Sequence, residues 1–288
     1  MIEWPDALVD VIARRRCVVM VGSGVSRNST NNAGRRPPTW EEFLLSCSEQ
    51  LGNPPVLTDL IRTRDFLSAC EIIKRRMQVH AFVHKVQHEF QRPAYNFAEI
   101  HKNIYNLDVS IVASPNFDNI YETYASNISA GSVVVKDHTS GDIANYLLGG
   151  DTRLILKTHG SANTPQDVIF TRFDYAQART KFTLFYEILK SLVLTHSFLF
   201  LGCGIDDPDI RTLFEDVQFA HARMPFHYMT VATDSVNEDV LEMTSDLMHV
   251  KFLKYSPEKN HEQLTSLLAK LVELVEERRT GIAPSRAW

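Results

Sequence analysis

Apolar positions along the chain follow two periods. Residues 17–21, Cys-Val-Val-Met-Val, form a continuous apolar run that stops at Gly22. A β-branched run of this length, ended by glycine, suits a strand buried on both faces of a parallel sheet. Comparable runs recur at 109–113, 132–135, 154–156, 197–201, 228–231 and 251–253. Between them the spacing is mostly helical, as in 5–15 with Leu8, Val9 and Ile12, in 182–194, and in the closing segment 262–278. The apolar stripe of that last helix reads first as intramolecular core and could equally support a homo-oligomer. Strands alternating with helices predict an α/β fold, a doubly wound and mainly parallel Rossmann-like sheet.

One interval breaks the alternation. Residues 39–105 carry helical patterns and no convincing strand, with 39–51, 56–77 and 79–90 as the main candidates. The expectation is one domain over 1–288, with 1–38 and 106–288 as the sheet core and 39–105 as an inserted helical lobe. Residues 27–38, rich in Asn, Ser, Gly, Arg and Pro, read as a mobile loop.

Composition narrows the class. Hydrophobic residues make up 44% and charged residues 23%, as in ordinary globular chains. The formal net charge of -5 supplies no global field toward phosphate backbones, so no direct nucleic-acid binding is expected. Cys17, Cys47, Cys70 and Cys203 stand far apart without a C-x-x-C pair, which fits free thiols in a reducing compartment. The opening residues carry no secretory pattern, and no apolar run is long enough to span a bilayer. A cytoplasmic protein without a membrane partner is expected, and the sequons at Asn28 and Asn127 then have no role.

Four polar clusters each follow a predicted strand directly: Gly22-Ser23-Gly24-Val25-Ser26, Ser114-Pro115-Asn116-Phe117-Asp118, Lys157-Thr158-His159-Gly160-Ser161, and Gly202-Cys203-Gly204-Ile205-Asp206-Asp207. Ligands of open α/β sheets bind at the carboxyl ends of strands, so the four can converge on one crevice. The first cluster departs from the dehydrogenase fingerprint, because Arg27 stands where G-x-G-x-x-G has its third glycine, and no G-x-x-x-x-G-K-[ST] loop exists. Each cluster also has a plain structural reading: a tight turn for the glycines, turn or helix-cap roles for Asn116, Asp118, Asp206 and Asp207, a satisfied core imidazole for His159.

In this order, G-S-G-V-S, P-N-F-D, T-H-G and F-L-G-x-G-x-D-D, the motifs resemble the sirtuin superfamily, and specifically the sirtuin-like NAD-consuming proteins of bacterial antiphage defence. The resemblance implies that Gly22, Ser23, Gly24 and Ser26 hold the NAD diphosphate. It places Asn116 and Asp118 at the nicotinamide ribose, His159 as general base, and Gly202, Cys203 and Gly204 toward the adenosine ribose. NAD would be the substrate, and no metal is expected. Deacylating sirtuins carry a four-cysteine zinc module after the H-G motif, whereas only Cys203 follows His159 here; their usual glutamine before the motif asparagine is Pro115. Both departures favour hydrolysis of NAD to nicotinamide and ADP-ribose. A protein deacylase or ADP-ribosyltransferase, and a non-catalytic NAD or ADP-ribose binding module, remain as alternatives.

The family resemblance further implies abortive antiphage defence by NAD depletion. After about Arg278 the length leaves no space for a sensing domain, so control is expected from self-assembly or from a partner such as a HerA-type ATPase or a short Argonaute-type protein. Three other signals have plainer readings. His80, His84 and His88 share a helical face that could offer nitrogens to zinc but reads as solvated or lobe-packing. Arg35 and Arg36 could close over a diphosphate, although a solvated pair is the default. Residues 170–175 could line the pocket, but read more simply as a helix start that packs its aromatics.

Overall fold

The computed structural model describes residues 3–148, 152–204, 208–220 and 224–285. Seven strands lie where the apolar runs predicted them: β1 (Cys17–Val21), β2 (Ile111–Ser114), β3 (Val134–Asp137), β4 (Leu154–Lys157), β5 (Ser197–Leu201), β6 (His227–Ala232) and β7 (Val250–Tyr255). They form one sheet in the order β3-β4-β2-β1-β5-β6-β7. Every pairing is parallel, so the sheet is wholly rather than mainly parallel. All residues of β1, β2, β4 and β5 are buried. The edge strands β3 and β7 alternate less cleanly and carry Lys136, Lys251 and Lys254, charges that discourage further strand addition.

Helices cover both faces. On one, α1 (Asp6–Ala13), α7 (Glu99–Asn106), α8 (Ile120–Ile128) and α14 (Glu258–Ser285) pack against Cys17, Val19, Val21, Val112, Ile155, Leu199 and Leu201. On the other, α9 (Ile143–Leu148), α10 (Arg172–Lys181), α11 (Thr183–Thr195), α12 (Pro208–Ala220) and α13 (Glu238–Met248) cover Val18, Met20, Ile111, Ala113, Leu156, Phe198 and Phe200. The doubly wound Rossmann-like fold follows from successive strand residues entering the cores on opposite faces of the sheet. No helix among the described residues is long and apolar enough to cross a membrane.

The helical interval contains α3 (Trp40–Gln50), α4 (Pro55–Arg62), α5 (Phe66–Arg76) and α6 (Val79–Phe90), which share their own apolar cluster. Helix α7 lies in the same stretch of sequence, but Ile100 and Ile104 belong to the sheet core beside α1 and α14. The single helix expected over 56–77 is two. Arg64 takes a left-handed conformation (φ 61°), and the Asp65 carboxylate accepts from the Ser68 N–H to start a new helix.

The lobe cluster also takes in Ala162, Val168, Phe170 and Phe117, which belong to the segments after β4 and β2. Phe170 meets Phe82 at 4.9 Å and stands edge-on to Phe43 at 5.8 Å, and Lys74 pairs with Asp174 at 2.6 Å. The lobe is therefore seated on the strand ends that carry the polar motifs. The loop over 27–38, expected to be mobile, is tied down by the polar residues that suggested mobility. The Asn31 side-chain oxygen accepts from the Ala33 and Arg35 N–H groups, Thr30 bridges to Asn96, and Arg27 pairs with Glu42 at 2.9 Å.

Candidate active site

The sheet changes direction between β1 and β5, where the chain first builds toward β2 and later resumes on the other side of β1. Such a switch point opens a crevice at the carboxyl end of the sheet. Here the loops after the two strands meet backbone to backbone. The Gly22 N–H donates to the Leu201 carbonyl and the Gly24 N–H to the Gly202 carbonyl, both over 2.9 Å. A Cβ on Gly24 would sit 2.9 Å from the Gly202 Cα, and one on Gly202, whose φ is +60°, would sit 2.5 Å from the Val25 nitrogen. These glycines are required by each other, and that requirement exists before any ligand arrives.

Behind the loop, one hydroxyl organises the second motif. Ser26, at the end of the short α2 (Ser23–Ser26), donates to the Asp118 carboxylate over 2.8 Å and accepts from the Asn116 amide nitrogen over 3.0 Å. The other Asp118 carboxylate oxygen accepts from the Ile120 N–H over 3.1 Å, a turn bond at the head of α8. An ionised carboxylate only accepts, so the single hydroxyl proton is committed to Asp118. Asn116 must then turn its NH2 toward Ser26, which frees its carbonyl oxygen. The turn role weighed for Asp118 from sequence is present, together with a link to Asn116.

The third motif lies across from the second and is stitched to it. The Thr158 N–H donates to the Ser114 carbonyl (3.0 Å), the Ala162 N–H to the Phe117 carbonyl (2.8 Å), and the Ser161 hydroxyl to the Asn119 side chain (2.8 Å). His159 is 4% exposed, and its Nε2 has no hydrogen-bond partner. Its ring stands edge-on to Tyr175 at 5.1 Å and 89°. Lys157, 1% exposed, donates to the Asp118 carbonyl over 2.7 Å and pairs with the buried Glu122 carboxylate. Burial pushes the Glu122 carboxyl up, against the pull of Lys157.

These motifs surround a cavity of about 360 Å³, within the range of small-molecule sites. Of the residues expected from sequence, Gly22, Ser23, Asn116, Asp118, His159, Cys203 and Gly204 line it. Gly24, Ser26 and Gly202 do not; they hold the backbone and side chains that do. Asp206 and Asp207 lie outside the described residues. The remaining wall was missed or set aside in the sequence. Phe170 and Tyr175 line the cavity although 170–175 read as plain packing, and Trp40, Phe43, Arg64 and Phe66 reach it from the lobe. A capping box at Thr171 does start α10 there, so the segment both begins a helix and faces the cavity.

The set-aside charges also find places. Arg35 pairs with Glu89, a buried residue of α6 that Lys85 also contacts at 2.9 Å, and the Arg36 guanidinium donates to the Arg27 carbonyl. His80, His84 and His88 are exposed on α6, and no group of three His, Cys, Asp or Glu side chains able to hold a metal occurs among the described residues. Burial pushes the thiols of Cys17, Cys47 and Cys70 up, Cys47 to about 12, so these three stay protonated near neutral pH.

A sequence profile described as a SIR2-like domain matches residues 110–255, half of the chain. Among curated proteins, the chain is 23% identical over 180 residues to the NAD(+) hydrolase ThsA of Enterococcus faecium, covering 62% of this chain and 37% of that protein. It is 28% identical over 128 residues to the NAD(+) hydrolase ThsA of Acinetobacter baumannii, covering 42% and 26%. It is 26% identical over 155 residues to Defense-associated sirtuin 2 of Bacillus subtilis, covering 49% and 14%. The matched region spans well under half the length of each of these relatives.

Proposed function

The chain belongs to the SIR2-like domain family, and on that basis we propose that it is an NAD+ glycohydrolase, cleaving NAD+ to nicotinamide and ADP-ribose in antiphage defence. One observation carries the reading: His159 and the oriented Asn116 line the same cavity, and His159 Nε2 is buried without a hydrogen-bond partner. A buried nitrogen without a partner costs the fold stability and remains available to a donor brought by a ligand.

The chemistry asks little more of the protein. The N-glycosidic bond of NAD+ carries a cationic leaving group, so nicotinamide departs neutral and the ribose becomes oxocarbenium-like. Asn116, with its carbonyl oxygen turned away from Ser26, can accept from the attacking water or a ribose hydroxyl. His159 Nε2 can take the proton released in the attack. Asp118 is already engaged by Ser26 and the Ile120 N–H, so its part is to orient Asn116 and to lend negative charge near the forming cation. The lobe aromatics beside the cavity would shield the bond from bulk water.

The names of the relatives support an NAD-consuming defence role. An NAD-depleting enzyme must be silent in a healthy cell. Control by self-assembly, or by a partner such as a HerA-type ATPase or a short Argonaute-type protein, is part of the same proposal.

Chromatography of NAD+ incubated with wild type, Asn116→Ala and His159→Ala, each alone and with co-purified partners, tests this reading. Nicotinamide and ADP-ribose should appear in equal amounts, and each substitution should lower turnover by roughly 10²–10⁴-fold. Nicotinamide without free ADP-ribose would indicate group transfer instead. Turnover that survives both substitutions would overturn the site, and tight NAD+ binding with no turnover under any condition would make the protein a binding module.

A further inference from the structure

We propose that Lys157 is a positioning residue that fixes the spacing between the Asn116 and His159 segments. The inference rests on the NAD+ hydrolase reading for its kinetic test and on geometry for everything else. Lys157 ends β4, two residues before His159, and its ammonium donates to the carbonyl of Asp118, two residues after Asn116. One 2.7 Å bond therefore joins the two segments close to both reacting side chains. The other cross-links between these segments are neutral and sit at Ser114, Phe117 and Asn119.

A lysine that is 1% exposed needs a reason. Moving an ammonium and a carboxylate out of water is costly, and a well-packed apolar pair in their place is commonly as stable or more so. The Glu122 carboxylate, 7% exposed on α8, is the counter-charge that makes burial of Lys157 tolerable. What an apolar side chain could not supply is the donor to the Asp118 carbonyl. The buried pair thus supplies a directional bond at a fixed place, and Glu122 cancels the positive charge that Lys157 brings to the Asp118 backbone.

The inference separates from a purely stabilising role by removing the charges together. Lys157→Met strands the Glu122 carboxylate and should lower both stability and turnover. Lys157→Met/Glu122→Gln removes both charges at similar volume, so thermal stability should recover. Turnover should not, because the bond to the Asp118 carbonyl is still missing. We expect a kcat loss of roughly 100-fold in both variants, the scale of a displacement of about 1 Å between reacting groups, with KM for NAD+ changed less than about threefold.

Recovery of kcat together with stability in the double variant would overturn the proposal. The NMR signals of the His159 ring supply a readout that needs no turnover. They should move in both variants and stay moved in the double variant, whereas wild-type positions in the double variant would again overturn the role. If wild type releases no nicotinamide either alone or with its co-purified partners, the hydrolase reading falls, and the ring signals still decide the role of Lys157.

Discussion

The Asn116 amide donates to the Ser26 hydroxyl over 3.0 Å, across 90 positions of sequence, and this bond decides which end of the carboxamide is left for the cavity. Ser26 was expected at the diphosphate, but its hydroxyl is spent on Asp118 and Asn116.

Ser26→Ala should lower kcat for NAD+ hydrolysis by roughly 10–100-fold, the cost of releasing a buried polar partner, with KM nearly unchanged. Asp118→Asn should do the same by another route. An amide at 118 can donate to Ser26, which then points its proton at Asn116 and turns that carboxamide round. Steady-state kinetics decide the matter: a raised KM at constant kcat would make Ser26 a ligand-binding group instead.

Gly202→Ala should destabilise the fold by about 2–4 kcal/mol, from a left-handed conformation and an added methyl driven into backbone. The close atom is the Val25 nitrogen at 2.5 Å. Gly34→Ala is the control, since Gly34 has φ +75° and nothing within 4 Å of its added Cβ. Urea unfolding should show it losing only about 1–2 kcal/mol, the conformational part alone. Equal losses at the two positions would mean that the loops after β1 and β5 are not in contact.

Acid should weaken the protein well before its carboxylates titrate. His101 Nδ1 accepts from the Ala98 N–H and His227 Nδ1 from the Phe198 N–H, each over 3.1 Å, and burial pushes their pKa values from 6.5 to about 4 and about 3. Above pH 6.5 both rings are neutral folded or unfolded, so neither makes stability depend on pH. As pH falls below 6.5 the unfolded chain takes up protons that the folded one refuses. Stability is then lost at about 1.4 kcal/mol per pH unit for each histidine, until the folded pKa is reached. Urea unfolding at pH 7 and pH 5 measures this, and His101→Gln should flatten the slope; equal stability at the two pH values would refute the burial argument.

The strands were legible because a strand covered on both faces must be apolar at every position, a local and redundant signal that 17–21 and 197–201 both carry. The motifs were legible because each sits directly after such a strand. What did not read from sequence was partnership. Lys157 looks like an ordinary charged residue at a strand end, and Glu122 like an exposed residue of a helix; their burial appears only when β4 and α8 are packed. The split of 56–77 had a signal that went unused, since Asp65 stands three residues before Ser68 in a helix-cap arrangement. The wall of the cavity from the lobe had none, because Trp40, Arg64 and Phe66 reach it through tertiary docking alone.

The sequence by itself determined a parallel α/β sheet, a helical interval, and the order of polar clusters that marks the SIR2-like family, all of which depend on residues near one another in the chain. Tertiary structure alone decided what each polar group does. Gly24 and Gly202 answer to each other's backbone, Ser26 to Asn116 and Asp118, Arg35 to Glu89, and His159 Nε2 is buried without a partner. Hydrogen bonds and ion pairs are short-ranged and directional, so their partners follow from which segments the hydrophobic core brings within about 3 Å, and no local pattern encodes that.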